Sequence, residues 1–280
     1  MIKQGYFEII KEFDDALAFL GYVVDEFGDP IGLEMDAKDE LFNEGVHHDY
    51  VYFCFTKMLR SACAYNELAK QGFREDCMAI GRTIYETYLQ VSNALKNPDF
   101  ISTAVFQSLK LKVGLVEFAK ENGRVNRNKI YDPKENKIYK HDLRTTTLVR
   151  RTLAPVDRKL HKFFYEFMSE LIHSNFISVG NYRTEDNSKY NVDTNNPHAD
   201  VIFTLGYLLF IICEHMEYYH IKYEVFRETS LTIPVMWEFI CIKEKLRRKL
   251  KELVEIIEIP GDIDAVRQLF LDRIKLNLIQ

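Results

Sequence analysis

Apolar residues in this chain recur at steps of three and four over stretches of twenty residues and more, and glycine or proline falls mainly between those stretches. The clearest case lies between Gly72 and Asn97-Pro98, where Cys77, Ile80, Ile84, Tyr88, Val91 and Leu95 form one stripe. That period is the α-helical one, and the breakers at each end stop it. With 12 glycines and 7 prolines in 280 residues, little else punctuates the chain. Hydrophobic residues make up 47%, so a sizeable core can be buried and general disorder is excluded. The fold class expected is all-α, a multi-helix bundle.

The same reading places helices at about 6–27, 48–71, 74–96, 99–122, 155–176, 197–227, 232–257 and 262–276. Gly28-Asp29-Pro30, Gly72, Gly123 and Pro260-Gly261 punctuate them, and Pro155 suits a first helical turn. Residues 128–140 differ. Two Lys-Ile-Tyr triplets flank Asp132-Pro133-Lys134-Glu135-Asn136, a turn-forming centre, so a small β-hairpin insertion is expected there. Residues 178–196 are polar and read as a long loop. Residues 1–230 are expected to form the helical bundle. Residues 231–280 form a C-terminal helix pair that packs on it or mediates dimerisation.

The N-terminal run is acidic and has no apolar signal region. The most apolar stretch, Val201 to Cys213, meets Glu214 too soon to span a bilayer and suits a core helix. Cys54, Cys63, Cys77, Cys213 and Cys241 are odd in number and form no C-x-x-C, which reads as buried, reduced thiols. A cytoplasmic protein without membrane contact follows. There is no Walker loop, G-x-G-x-x-G, EF-hand loop, H-E-x-x-H or G-x-S-x-G elbow. No cofactor is expected.

The net charge of −5 conceals an asymmetry. Residues 1–49 carry thirteen Asp/Glu against three Lys/Arg, and residues 124–162 carry twelve Lys/Arg against four Asp/Glu. A second basic run covers 243–251. Such segregation fits an anionic partner such as RNA at 124–162, or an acidic segment packing on a basic one within the chain or across a homodimer.

Two polar motifs interrupt the apolar helices. Arg82-x3-Glu86 lies off the stripe of the 74–96 helix, and Ser169-x3-His173 lies, with Tyr165, off the stripe Leu160, Phe163, Phe164, Phe167, Met168 and Leu171. Residues four apart share a helical face, so a bundle can gather Arg82, Glu86, Ser169 and His173 into one site. Arg82–Glu86 also reads as a plain i,i+4 ion pair, and His173 as a residue near a helix end that meets the dipole. Glu170-x2-His173 and Glu217-x2-His220 match the spacing of di-metal bundles, with Glu44-x2-His47 a third instance, as chance alone also provides. No metal is expected.

The two motifs resemble those of a prokaryotic all-α family of unknown function. Its R-x3-E helix reads here as Arg82-Thr83-Ile84-Tyr85-Glu86, and its S-x2-[VI]-H-[PS] helix as Ser169-Glu170-Leu171-Ile172-His173-Ser174. The resemblance covers about 50–220. That family is distantly similar to the higher-eukaryote-and-prokaryote nucleotide-binding (HEPN) helical superfamily, many of whose members are ribonucleases of toxin, CRISPR or phage-defence systems. The resemblance implies a metal-independent ribonuclease or RNA-binding protein. Here no histidine has an arginine five to seven positions upstream, so Arg82 would supply the cation from another helix than His173. The alternative is a non-catalytic interaction or regulatory bundle, in which the four polar residues fix helix register.

Overall fold

The computed structural model describes residues 2–29, 40–141, 143–172, 189, 198–223, 232–257 and 263–279. It is a helical bundle with a small antiparallel sheet. The helices are α1 (Ile2–Phe27), α2 (Glu40–Gln71), α3 (Arg74–Lys96), α4 (Asp99–Lys112), α5 (Thr145–Leu148, continued by a 3-10 turn to Arg151), α6 (Asp157–Ile172), α7 (Ala199–Lys222), α8 (Thr232–Val254) and α9 (Ile263–Lys275). Strands β1 (Glu117–Glu121), β2 (Arg124–Asp132) and β3 (Lys137–Lys140) stand between α4 and α5.

Helix α7 is the hub. It packs on α1, α2, α3 and α8, and residues 201–217 are buried on every side. By length and composition this helix is apolar enough to cross a membrane, but most of that apolar surface is covered inside the bundle. Its neighbours each turn one stripe toward it, as Ile10, Phe13, Leu17, Leu20 and Val23 do from α1. An all-round apolar helix needs this covering, and amphipathic helices supply it.

Helix α3 begins and ends where the sequence places it. Gly72, at φ 82°, closes α2. The Gly72 amide donates to the Ala69 carbonyl at 3.1 Å and the Phe73 amide to the Leu68 carbonyl at 3.1 Å, which is the Schellman pattern. Gly81 then lets four helices converge. A β-carbon there would stand 3.1 Å from Tyr65 on α2, 3.3 Å from Met168 on α6 and 3.5 Å from Thr204 on α7. This close approach brings α6 alongside α3 at the position next to Arg82.

The hairpin insertion is present, and the sheet is larger than the sequence reading. Glu117 to Glu121 is strand, not the end of a helix running to 122, because α4 stops at Lys112. Asn122 and Gly123 both have positive φ, 50° and 75°, and join Glu121 directly to its partner Arg124. Asn-Gly is the strongest short hairpin signal, and it overrides the helix propensity of the residues before it. The second turn follows Asp132, whose carboxylate accepts from the amides of Lys134 at 3.0 Å and Glu135 at 3.2 Å. A bulge between Phe118 and Ala119 re-registers β1 on β2.

Helices α8 and α9 pack on the bundle, α8 against α7 and α9 against α6. Arg273 of α9 reaches into the core with no exposed surface. Its Nε donates to Asp157 at the start of α6 at 2.8 Å, and its Nη2 to Glu214 of α7 at 2.6 Å. The Tyr88 hydroxyl of α3 donates to the other oxygen of Asp157. Burial pushes the Glu214 carboxyl up, and the Arg273 charge pulls it back. Of the cysteines, Cys54, Cys77 and Cys213 are buried, while Cys63 is exposed and Cys241 half-exposed, so the expectation of buried thiols holds for three of the five.

Candidate functional site

The best-formed polar cluster outside the core lies where α3 and α6 run side by side. Arg82 donates through Nε to Glu86 at 3.1 Å, and the side chains keep 33% and 40% exposure. Across the helix interface, the Tyr165 hydroxyl donates to the same Glu86 oxygen at 2.8 Å. The Arg82 guanidinium sits 4.7 Å from the centre of the Tyr165 ring. A carboxylate, a phenol and an aromatic face therefore hold one guanidinium half in water. Burial lowers the Arg82 pKa, the Glu86 hydrogen bond raises it, and the balance lies upward. Tyr165 is raised by burial and by Glu86, so its proton stays on the bond to the carboxylate.

Ser169 joins indirectly. Its hydroxyl donates to the backbone carbonyl of Tyr165 at 2.8 Å, a common back-bond within one helix. His173 lies outside the described residues. The structure thus brings together Arg82 and Glu86, sets Ser169 one turn beyond the tyrosine that binds them, and says nothing of His173.

Two members of the cluster carry more than the sequence signal assigned to them. Tyr165 is the bridge between helices. His161, one turn earlier on α6, stacks on Tyr165 at 4.9 Å and 22°, and on Tyr85 of α3 at 5.8 Å and 19°. Its Nδ1 stands 3.4 Å from the Tyr85 hydroxyl. Burial lowers the His161 pKa, partly countered by Glu166, so the imidazole is neutral at neutral pH. The signal that finds it is spacing. His161, Tyr165, Ser169 and His173 succeed one another at steps of four along the sequence.

The basic segment includes two elements packed on α3 beside this cluster, α5 with its 3-10 turn and α6. All twelve Lys/Arg of residues 124–162 are exposed, on the sheet, on α5 with its following turn, and on the first turns of α6. Lys129 pairs with Glu121, yet most of the cationic side chains point to solvent.

Among the described residues the metal alternative finds no gathered ligands, and His173 of the Glu170-x2-His173 pair lies outside them. Glu217 is bound by Lys243, and His220 accepts or donates at the Tyr52 hydroxyl at 2.7 Å. Among the described residues no three of His, Cys, Asp and Glu approach one another as ligands do. The remaining buried histidines serve packing networks. His48 meets Tyr219 at 2.8 Å, and His215 meets Ser92 at 3.2 Å and the Ile211 carbonyl at 2.9 Å.

A model for a family of unknown function, DUF5677, matches residues 48–190, the segment from α2 through α6 that carries the cluster and the sheet. No curated protein and no solved structure matches the chain.

Proposed function

The chain belongs to that family of unknown function, DUF5677, and we propose that it is a HEPN-like helical protein that binds RNA and cleaves it without a metal. The observation that carries this reading is the half-exposed guanidinium of Arg82, fixed by Glu86 and by Tyr165, which stacks on a neutral histidine of a helix whose first turns expose Arg158, Lys159 and Lys162. Such a guanidinium offers its remaining donors to a phosphodiester in fixed geometry. In the reaction, an imidazole base takes the 2′-hydroxyl proton and O2′ attacks the adjacent phosphorus. The bond from phosphorus to O5′ breaks and the leaving oxygen takes a proton from an acid. The products are a 2′,3′-cyclic phosphate and a 5′-hydroxyl. Arg82 stabilises the charge that develops on the phosphorane, and Glu86 orients Arg82. His161 has the protonation state of the base, and His173, four residues after Ser169 in the sequence, is assigned as the acid of the pair.

Incubation with total RNA and with single-stranded DNA in excess EDTA tests this. Wild type should cleave RNA and spare DNA, since DNA lacks the 2′-hydroxyl. Arg82→Ala, His161→Ala and His173→Ala should each abolish cleavage while the circular dichroism spectrum is kept. Because burial lowers the His161 pKa, the acid limb of the rate profile should lie below pH 6.5. Cleavage that requires a divalent metal, or that survives all three substitutions, sinks the reading.

One observation favours the non-catalytic alternative. Ile233, Trp237 and Ile240 line one face of α8 at 80%, 65% and 42% exposure, an apolar stripe suited to a protein partner. A well-folded protein inert toward every nucleic acid would select that reading.

A further inference from the structure

Helix α3 repeats its polar face one span beyond Arg82 and Glu86. Asn93 and Asn97 fall on the same side of the helix as those two, with Lys96 at its edge. Between the two polar stretches Leu89 is buried. The second stretch opens into a cleft of about 300 Å³, lined by Asn93, Lys96, Asn97, Asp99, Phe100, Arg150 and Arg151. Three cationic side chains and one carboxylate give the lining a net positive charge. Its floor is fixed from both sides. Asn93 donates to the Leu148 carbonyl at 2.9 Å, and Lys96 to the Thr152 carbonyl at 3.0 Å.

The segment that brings Arg150 and Arg151 to the cleft is tied at its other end to the first site. Thr145, which opens α5, lies near enough to the Tyr165 hydroxyl to pull its pKa down, against burial and Glu86. Helix α5 and its 3-10 turn therefore run beside α3 from Tyr165 to Lys96. At 1.5 Å per residue, Glu86 and Lys96 are about 15 Å apart along the helix. That span suits a few nucleotides of an extended strand, not a single phosphate.

We propose that this cleft is a second phosphate-binding subsite, which holds a backbone phosphate of a single strand a few nucleotides from the Arg82 site. The phosphate subsite stands on its own residues. Its assignment to a strand that also reaches Arg82 rests on the RNA reading above. Arg150 and Arg151 supply the charge-assisted donors, Lys96 adds a point charge, and the Asn97 amide offers a neutral donor. Phe100 gives the cleft an apolar wall.

Calorimetric titration with pyrophosphate tests the subsite alone. In an Arg82→Ala background, which removes the first site, pyrophosphate should still bind, and adding Arg150→Ala/Arg151→Ala to that background should abolish binding. Binding that is absent, or that survives loss of both arginines, overturns the subsite whatever RNA does. Fluorescence anisotropy with a labelled dodecamer of RNA and with a dinucleotide tests the strand. The double variant should weaken dodecamer binding about tenfold and lower its salt slope by about 1.4, two contacts at about 0.7 each for single strands. Dinucleotide binding should weaken less, because a single phosphodiester does not span both sites and can rest at the Arg82 site alone. Pyrophosphate binding at the arginines with no RNA bound by wild type would uphold the subsite and end the RNA reading. Equal losses for dodecamer and dinucleotide would overturn the two-site span.

Discussion

Two arginines held by carboxylates meet α3 and α6, and they differ in what surrounds them. Arg273 is fully enclosed, with Asp157, Glu214 and, through Asp157, the Tyr88 hydroxyl around it. Arg82 has one carboxylate and one aromatic face and keeps 33% of its side chain in water. A buried guanidinium must have every charge answered inside the protein, so Arg273 is committed to joining α9, α6 and α7. An arginine with a single carboxylate at the surface is oriented without being used up. The same pair of residue types makes a lock in one place and a docking point in the other.

The comparison predicts unequal losses. Arg273→Ala strands two buried carboxylates and should cost about 3–5 kcal/mol, read as a lowered urea midpoint. Arg82→Ala should cost less than about 1 kcal/mol, as exposed pairs do. Similar costs at the two sites would break the distinction.

Acid should find the enclosed side first. His215, edge-on to Tyr88 beside Arg273, and His220 are both held at about 3 by burial, and the Arg273 charge adds to the effect on His215. Below pH 6.5 the unfolded chain binds protons on these rings and the folded chain does not. Stability should therefore fall as pH drops from 6.5 toward 3, by about 1.4 kcal/mol per pH unit for each ring. Glu214, pushed upward by burial, acts in the opposite sense, because protonation relieves it. Urea midpoints between pH 7.5 and 5 give the net slope, and a flat profile would mean that these rings open to water.

A smaller effect sharpens the geometry that both arginines share. Gly81→Leu forces side-chain atoms between Tyr65 and Met168, where even a β-carbon would be tight. It should cost about 1–3 kcal/mol. It should also separate α6 from α3 enough to weaken RNA binding more than its stability loss explains. Unchanged binding in a folded variant would show that the Arg82–Tyr165 contact is not needed.

Local features were legible in the sequence and tertiary ones were not. Helix α3 runs over the span read from its stripe, because Gly72 and Asn97-Pro98 stop it with unambiguous chemistry. Arg82 and Glu86 pair as their spacing requires, since both ends of the contact lie on one helix. The hairpin turn after Asp132 was legible from its turn residues, whereas β1 was hidden in residues that also suit a helix. The role of Tyr165 depends on α6 lying against α3, and a lone tyrosine on a polar face does not announce that. His161 shares the four-residue spacing of Tyr165 and Ser169, but its stacking on Tyr85 likewise depends on α6 lying against α3. Arg273 gave no signal, because it is one of 37 cationic residues and only the packing of α9 takes it out of water.

The most direct test of the central claim sets RNA affinity against stability for one substitution. Arg82→Ala, measured by anisotropy with a labelled RNA oligonucleotide and by urea unfolding in the same buffer, should lose about tenfold or more in affinity, with less than about 1 kcal/mol lost in stability. An affinity equal to that of wild type, from a protein equally stable, would contradict the account and leave Arg82–Glu86 a surface ion pair.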